Sequence, residues 1–266
     1  MKIHRVEPGS RVRLDRIDPG ATPGAKGKKA AEARFGPLNE RLSELQNRLW
    51  AERRHKVLVV LQGMDTAGKD GTIQHVFRGV NPLGVSVAAF KVPTEEERGH
   101  DFLWRVHKRV PASGEIMIFN RSHYEDVLVV RVRELVPKAV WKARYEQIVR
   151  FEELLADTGT LVLKFFLHIS RDEQKERLEE RLNDPEKRWK FRKGDLDDRR
   201  LWDDYQRAYE DALEKTSRDR APWYVVPANK KWYRNLVVAT TLVEALESLK
   251  IKKPEPAEDL TGVVVE

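Results

Sequence analysis

One stretch constrains this chain more than any other: Lys56 to Gly71, KVLVVLQGMDTAGKDG. An apolar run of strand length ends at Gly63, and four residues later come Gly68 and Lys69, the G-x-x-x-x-G-K spacing of a phosphate-cradling P-loop. A strand that enters a tight glycine turn and leaves as a helix lines an anion-binding concavity with backbone N–H groups, Ala67 among them. Lys69 adds a mobile positive charge for a phosphoryl group. Two features depart from the common pattern. Asp70 stands where a Ser or Thr ligates magnesium, and the loop itself carries a carboxylate, Asp65. A carboxylate inside a phosphate cradle is costly unless it binds metal or moves a proton, so Asp65 is a candidate for either task.

Composition narrows the classes. At 266 residues the chain fits one large α/β domain, or one domain with an inserted subdomain. With no cysteine, thiolate metal sites and disulfides are excluded, which suits a reducing cytoplasm. No apolar run approaches the ~20 residues that span a bilayer, and MKIHRVEPGS lacks the apolar core of a signal peptide. The expectation is a cytoplasmic protein with no membrane partner. A net charge of +7 with 35% charged residues points to a polyanionic partner without choosing between nucleic acid, nucleotides and other polyphosphates.

Along the chain, residues 1–34 are rich in Gly, Pro, Lys and Arg and read as a flexible basic arm. From Pro37, Leu38, Leu42, Leu45 and Leu49 recur at helical spacing, the stripe of a docked helix. Further strands are expected at 85–91, 115–120, 160–170 and 223–227, with helices over 71–78, 137–157 and 229–250. Strands separated by helical patterns imply a parallel sheet. Ser170 and Glu173 have capping-box spacing and open a helix bearing Lys175, Arg177 and Arg181. After Asn183-Asp184-Pro185, residues Lys187 to Lys193 hold five cations in seven, interleaved with Trp189 and Phe191. A second helix then buries Trp202, Tyr205, Tyr209 and Leu213. Helix, basic turn, helix between two strands reads as a lid, about 171–218, over the phosphate site. The P-loop domain is thus expected over 35–252, with 253–266 as a mobile tail.

FNRSHYED, Phe119 to Asp126, is the second constellation. In P-loop proteins a neighbouring strand ends in an acid that holds magnesium, usually through water. Here that position is Asn120, a neutral amide, so Asp65 and Glu125 are left as the metal candidates. Arg121 is placed to grip a phosphate in bidentate fashion, although a simple Arg121–Glu125 ion pair is the alternative.

GMDTAGKDG with FNRSHYEDV, then HISRDEQKERLEERLNDPEKRWKF and WDDYQRAYEDAL, resembles the polyphosphate kinase 2 family from about residue 35 to 250. The resemblance implies a P-loop kinase fold, α/β with a five-stranded parallel sheet and a helical lid. It also implies transfer of phosphoryl groups between inorganic polyphosphate and nucleotides with magnesium, manganese being the alternative ion. Matched by motif, Asp65 is the loop acid, Lys69 the phosphate lysine, Arg121 and Glu125 the second catalytic pair, and Arg181 the lid arginine. Asn120 departs from the Asp of many relatives, which bears on the metal shell and on the acceptor.

The candidate site is then Asp65, Lys69, Arg121 and Glu125 for catalysis. Gly63, Ala67, Gly68, Lys69, Asp70, Arg181, Lys187 and Arg188 are the candidates for polyphosphate, and Asn120, Arg121 and Glu125 for the acceptor. The acceptors expected are adenine nucleotides, AMP and ADP both, with guanine nucleotides as the alternative, and a homo-oligomer is expected. Two other classes stay open: an ATP-dependent kinase of a small metabolite or nucleoside monophosphate, resembling thymidylate kinase, and a basic P-loop module that binds nucleic acid.

Overall fold

The computed structural model describes residues 4–255 together with 258, 259, 261, 263 and 265. Near the N-terminus come β1 (His4–Val6) and α1 (Lys28–Glu52); then β2 (Lys56–Gln62), α2 (Lys69–Val76), β3 (Val85–Ala89) and two short helices, α3 (Glu95–Arg98) and α4 (Trp104–His107). The chain continues through β4 (Ile116–Asn120), α5 (Val129–Val132), α6 (Lys138–Asp157) and β5 (Thr160–His168). It ends with α7 (Arg171–Asn183), α8 (Lys193–Arg200), α9 (Trp202–Thr216), β6 (Trp223–Pro227) and α10 (Lys231–Ser248).

The sheet order is β1-β6-β5-β2-β4-β3. The five parallel strands are those read from the sequence, and β1 is added antiparallel on the outer edge of β6. Val57 to Leu61 and Val162 to Leu167 are buried almost throughout, as strands covered on both faces must be. The chain places β3 and β4 on one side of β2, then crosses to β5 and β6 on the other. The strand order therefore switches direction at β2, and open α/β sheets bind ligands beyond the carboxyl end of the strand at such a point. The P-loop, the exit of β4 and the start of α7 all meet there.

Residues 4–27 correct the expected flexible arm. His4 to Val6 pair with Val225 to Trp223, and Val6, Val12 and Leu14 are buried. The backbone N–H groups of Val12 and Leu14 donate to the carboxylates of Glu214 and Glu210 on α9, at 2.7 and 2.8 Å. Ile17 O accepts from His168 Nε2, and Pro23 O from the Tyr233 hydroxyl. This strap has isolated apolar residues and partners about two hundred positions away, so local periodicity cannot reveal it. Met1 to Ile3, and part of the expected tail, lie outside the described residues. The helix expected from Pro37 begins at Lys28, with Pro37 inside it. Leu42, Leu45 and Leu49 of its stripe are buried where α1 packs on α10.

A buried leucine in a strap contributes as any core leucine does. Leu14→Ala should lower the unfolding free energy by about 2–4 kcal/mol, read from urea midpoints. An unchanged midpoint would restore the loose arm.

Candidate active site

Glycine is required at two points of the loop. A Cβ on Gly63 would lie 2.7 Å from Leu167 O, and one on Gly68, with φ +99°, would lie 1.8 Å from the Arg234 guanidinium. Between them Thr66 adopts φ +67°, a left-handed conformation that costs a non-glycine residue of order 1–3 kcal/mol. The carbonyls of Asp65, Thr66 and Ala67 are held by donors from α7 and α10. Arg177 of α7 donates to Thr66 O at 2.8 Å and to Ala228 O and Asn229 O; Gln174 donates to Asp65 O. Arg234 of α10 donates to Ala67 O at 3.2 Å. Arg177 also pairs with Glu173, whereas Arg234 has no carboxylate partner among the described residues and donates instead to the Asn235 amide oxygen. Burial, then the neighbouring Arg177 charge, lowers the Arg234 pKa to about 10. The underside of the loop therefore carries two buried guanidinium charges against one carboxylate.

Lys69 opens α2, only 9% exposed. Its ammonium donates to Gly63 O at 2.7 Å and Met64 O at 3.3 Å. Burial, followed by the Arg121 charge, pulls its pKa down to about 8 against the opposing pull of Asp65, Glu125 and Asp70. The exit of β4 brings its groups to the same place. Arg121 has φ +62°, and its guanidinium donates to Asp65 at 2.5 Å and stands 3.8 Å from Glu125. Burial would lower the Arg121 pKa, but Glu125 and Asp65 outweigh it and hold the group above its ordinary value. Burial likewise raises the Glu125 carboxyl, and Arg121 and Lys69 only partly offset it. Asn120 donates to Asp70 at 2.6 Å.

Asp65, Lys69, Asp70, Asn120, Arg121 and Glu125 are thus brought together. Arg181 reaches this group only through Asp195 of α8, at 3.8 Å; burial, then the Asp65 charge, raises the Asp195 pKa. Lys187 is paired instead with Glu180 and Asp184, and Arg188 donates to Leu182 O. Arg177, visible in the sequence only as one of the cations on the helix opened by Ser170, lies under the loop. Arg234, Asp195 and Tyr209 were not expected at the site; Tyr209 is buried and feels the Glu125 charge. The one arginine of α10, just before the apolar run Leu236 to Ala239, was the available signal for Arg234.

No group of three metal-ligating side chains occurs among the described residues. The oxygens of Asp65 and Glu125 flank Arg121, and two carboxylates suit magnesium, which takes one or two of them and completes its shell with phosphate and water oxygens.

A P-loop fold with a second cationic and acidic strand exit beside the loop defines a phosphotransferase of the P-loop kinase class. The Polyphosphate kinase 2 family model matches residues 25–254, and the chain belongs to that family. It is 60% identical over 267 residues, covering all of both chains, to an AMP/ADP-polyphosphate phosphotransferase of Meiothermus ruber. It is 44% identical to an ADP-polyphosphate phosphotransferase of Rhodopseudomonas palustris, over 96% of this chain and 92% of the other. Among solved structures it is similar to a polyphosphate kinase 2 from Arthrobacter aurescens, with TM-score 0.93, 47% identity, and coverage of 96% and 92%.

The lowered Lys69 pKa carries a sign. Between about pH 8 and 10.5 the unfolded chain holds a proton at Lys69 that the native chain has lost, so stability from this group rises with pH; below that window the cost of the buried charge is fully present. The stability of the wild type relative to Lys69→Met should therefore increase by about 2 kcal/mol from pH 7.5 to 9.5 in urea titrations. A constant difference would place the Lys69 pKa outside this range.

Proposed function

We propose that this chain transfers phosphoryl groups from inorganic polyphosphate to AMP and ADP, reversibly, at the group Asp65, Lys69, Arg121 and Glu125. The observation that carries the reading is the meeting of Lys69, behind the loop amides, with a guanidinium held between two carboxylates at the exit of β4. Phosphoryl transfer asks a protein chiefly for positioning and charge compensation. In this reading the loop amides and Lys69 hold one phosphate chain, Arg121 turns from Asp65 to grip the incoming phosphate, and Asp65 orients the acceptor. Asp65 and Glu125 would hold magnesium, or manganese in its place. The chemistry supplied with the ion bound is neutralisation of charge along the phosphates.

Helices α7 to α9 serve as the lid, and the exposed cations Arg188, Lys190, Arg192 and Lys193 between them line the polyphosphate path. Lys187 and Arg181, held by Glu180 and Asp195, are released to the polyanion as it binds. A cytoplasmic location and assembly as a homo-oligomer belong to the same proposal. No helix among the described residues is long and apolar enough to cross a membrane.

The acceptor range follows from Asn120. Its amide donates to Asp70, so this pair carries only the one negative charge of Asp70 at the edge of the loop. A carboxylate at position 120 would face Asp70 and draw a cation to that point, fixing one place along the phosphate chain. With the neutral amide the acceptor is free to shift by one phosphate, about 3 Å, which is comparable to a near-attack distance. The name of the Meiothermus relative, AMP/ADP-polyphosphate phosphotransferase, supports both acceptors.

The test is a chromatographic time course with polyphosphate, magnesium and AMP as sole nucleotide. The wild type should form ADP and then ATP, and Asn120→Asp should stall at one of these steps. Lys69→Ala and Asp65→Asn should each lose about 10²- to 10³-fold in rate while remaining folded. No turnover with polyphosphate as sole donor would return the ATP-dependent reading. ADP without ATP in the wild type would reject the double acceptor.

A further inference from the structure

Behind the exit of β4 lies a polar cluster with no access to solvent. Lys164 projects from the middle of β5, and Glu152 from α6; their side chains are 0% and 1% exposed. The Lys164 ammonium donates to Glu152 at 2.5 Å, to the Tyr124 hydroxyl at 2.9 Å and to Thr216 O at 2.8 Å, which uses all three of its protons. Glu152 also accepts from the Tyr124 hydroxyl at 2.8 Å and lies 3.2 Å from His123 Nε2. Thr216 Oγ1 is 2.9 Å from the Tyr124 hydroxyl and accepts from the Trp223 indole.

A buried ion pair is a poor means of stabilising a core, because apolar side chains of equal volume serve as well or better. Its placement gives it another use. His123 and Tyr124 stand in sequence between Arg121 and Glu125, and Arg121 holds the left-handed conformation at φ +62°. Residues 121 and 125 face the P-loop while 123 and 124 enter the core, so whatever fixes the second pair fixes the first. The cluster joins this turn to α6, to β5 and, through Thr216, to the last turn of α9.

We propose that Glu152, Lys164, Tyr124 and Thr216 form a positioning network that sets Arg121 and Glu125 against the P-loop and ties their placement to the base of α9. The network touches no substrate; it acts through Arg121 and Glu125, and so rests on the roles proposed for them above.

Four variants test it by kcat and KM for AMP and for polyphosphate, on protein whose melting temperature is recorded: Tyr124→Phe, the charge-free Glu152→Leu/Lys164→Met, Arg121→Lys, and Tyr124→Phe combined with Arg121→Lys. Tyr124→Phe should lower kcat by about 10-fold, with each KM within about twofold, because a small misplacement of reacting groups is felt in the chemical step. The charge-free pair should melt near the wild type and show the same loss. The combined variant should be no slower than Arg121→Lys alone, since both changes remove one function. Wild-type kcat in both Tyr124→Phe and the charge-free pair would reduce the network to packing, and multiplicative losses in the combined variant would detach it from Arg121. Wild-type kcat in Arg121→Lys would overturn the roles proposed for the strand exit, and the positioning claim with them.

Discussion

The arrangement depends on how the carbonyl side of the P-loop is held. A glycine turn can present amides to an anion only if its carbonyls point elsewhere and find donors there, since a buried unpaired carbonyl is costly. Arg177 and Arg234 supply those donors from two helices that follow the loop by more than a hundred residues in sequence. They also leave uncompensated positive charge under the loop. Lys69 is a second costly cation at the loop, its pKa lowered by its own burial and then by the Arg121 charge. A polyanion against the loop offsets positive charge from both sources.

At the exit of β4 the same logic runs with the opposite sign. Asp65 and Glu125 share Arg121, and Asp70 takes the Asn120 amide, so each carboxylate near the loop has a partner that a phosphate or a cation can displace. Arg181 and Lys187 are similarly engaged with Asp195, Glu180 and Asp184. The free protein thus balances its own charges with exchangeable partners.

How far this was legible in sequence varies with how local each signal is. The strand before Gly63, the Gly63 to Lys69 spacing, the five parallel strands and the helix opened by Ser170 all rest on patterns within a dozen residues, and the structure has them. Asp65, Lys69, Arg121 and Glu125 could be named because two short motifs carry them. The strap at residues 4–27 could not, because Val12 and Leu14 are stabilised by carboxylates on α9. Arg177 was visible only as one charge on a helix face, and its task depends on which side of the loop α7 packs. Arg234 required knowing that α10 runs beneath Gly68. Lys187 and Arg188 drew attention through clustering, and the structure ties them to their own segment.

In the proposed function, buried, uncompensated charge under the loop supplies the affinity for phosphate. Calorimetric titration of tripolyphosphate into the wild type and into Arg234→Gln, which keeps hydrogen-bond donors near Ala67 but removes the charge, tests it most directly. Affinity in the folded variant should be weaker by at least about tenfold. Equal affinity in the two proteins would contradict it.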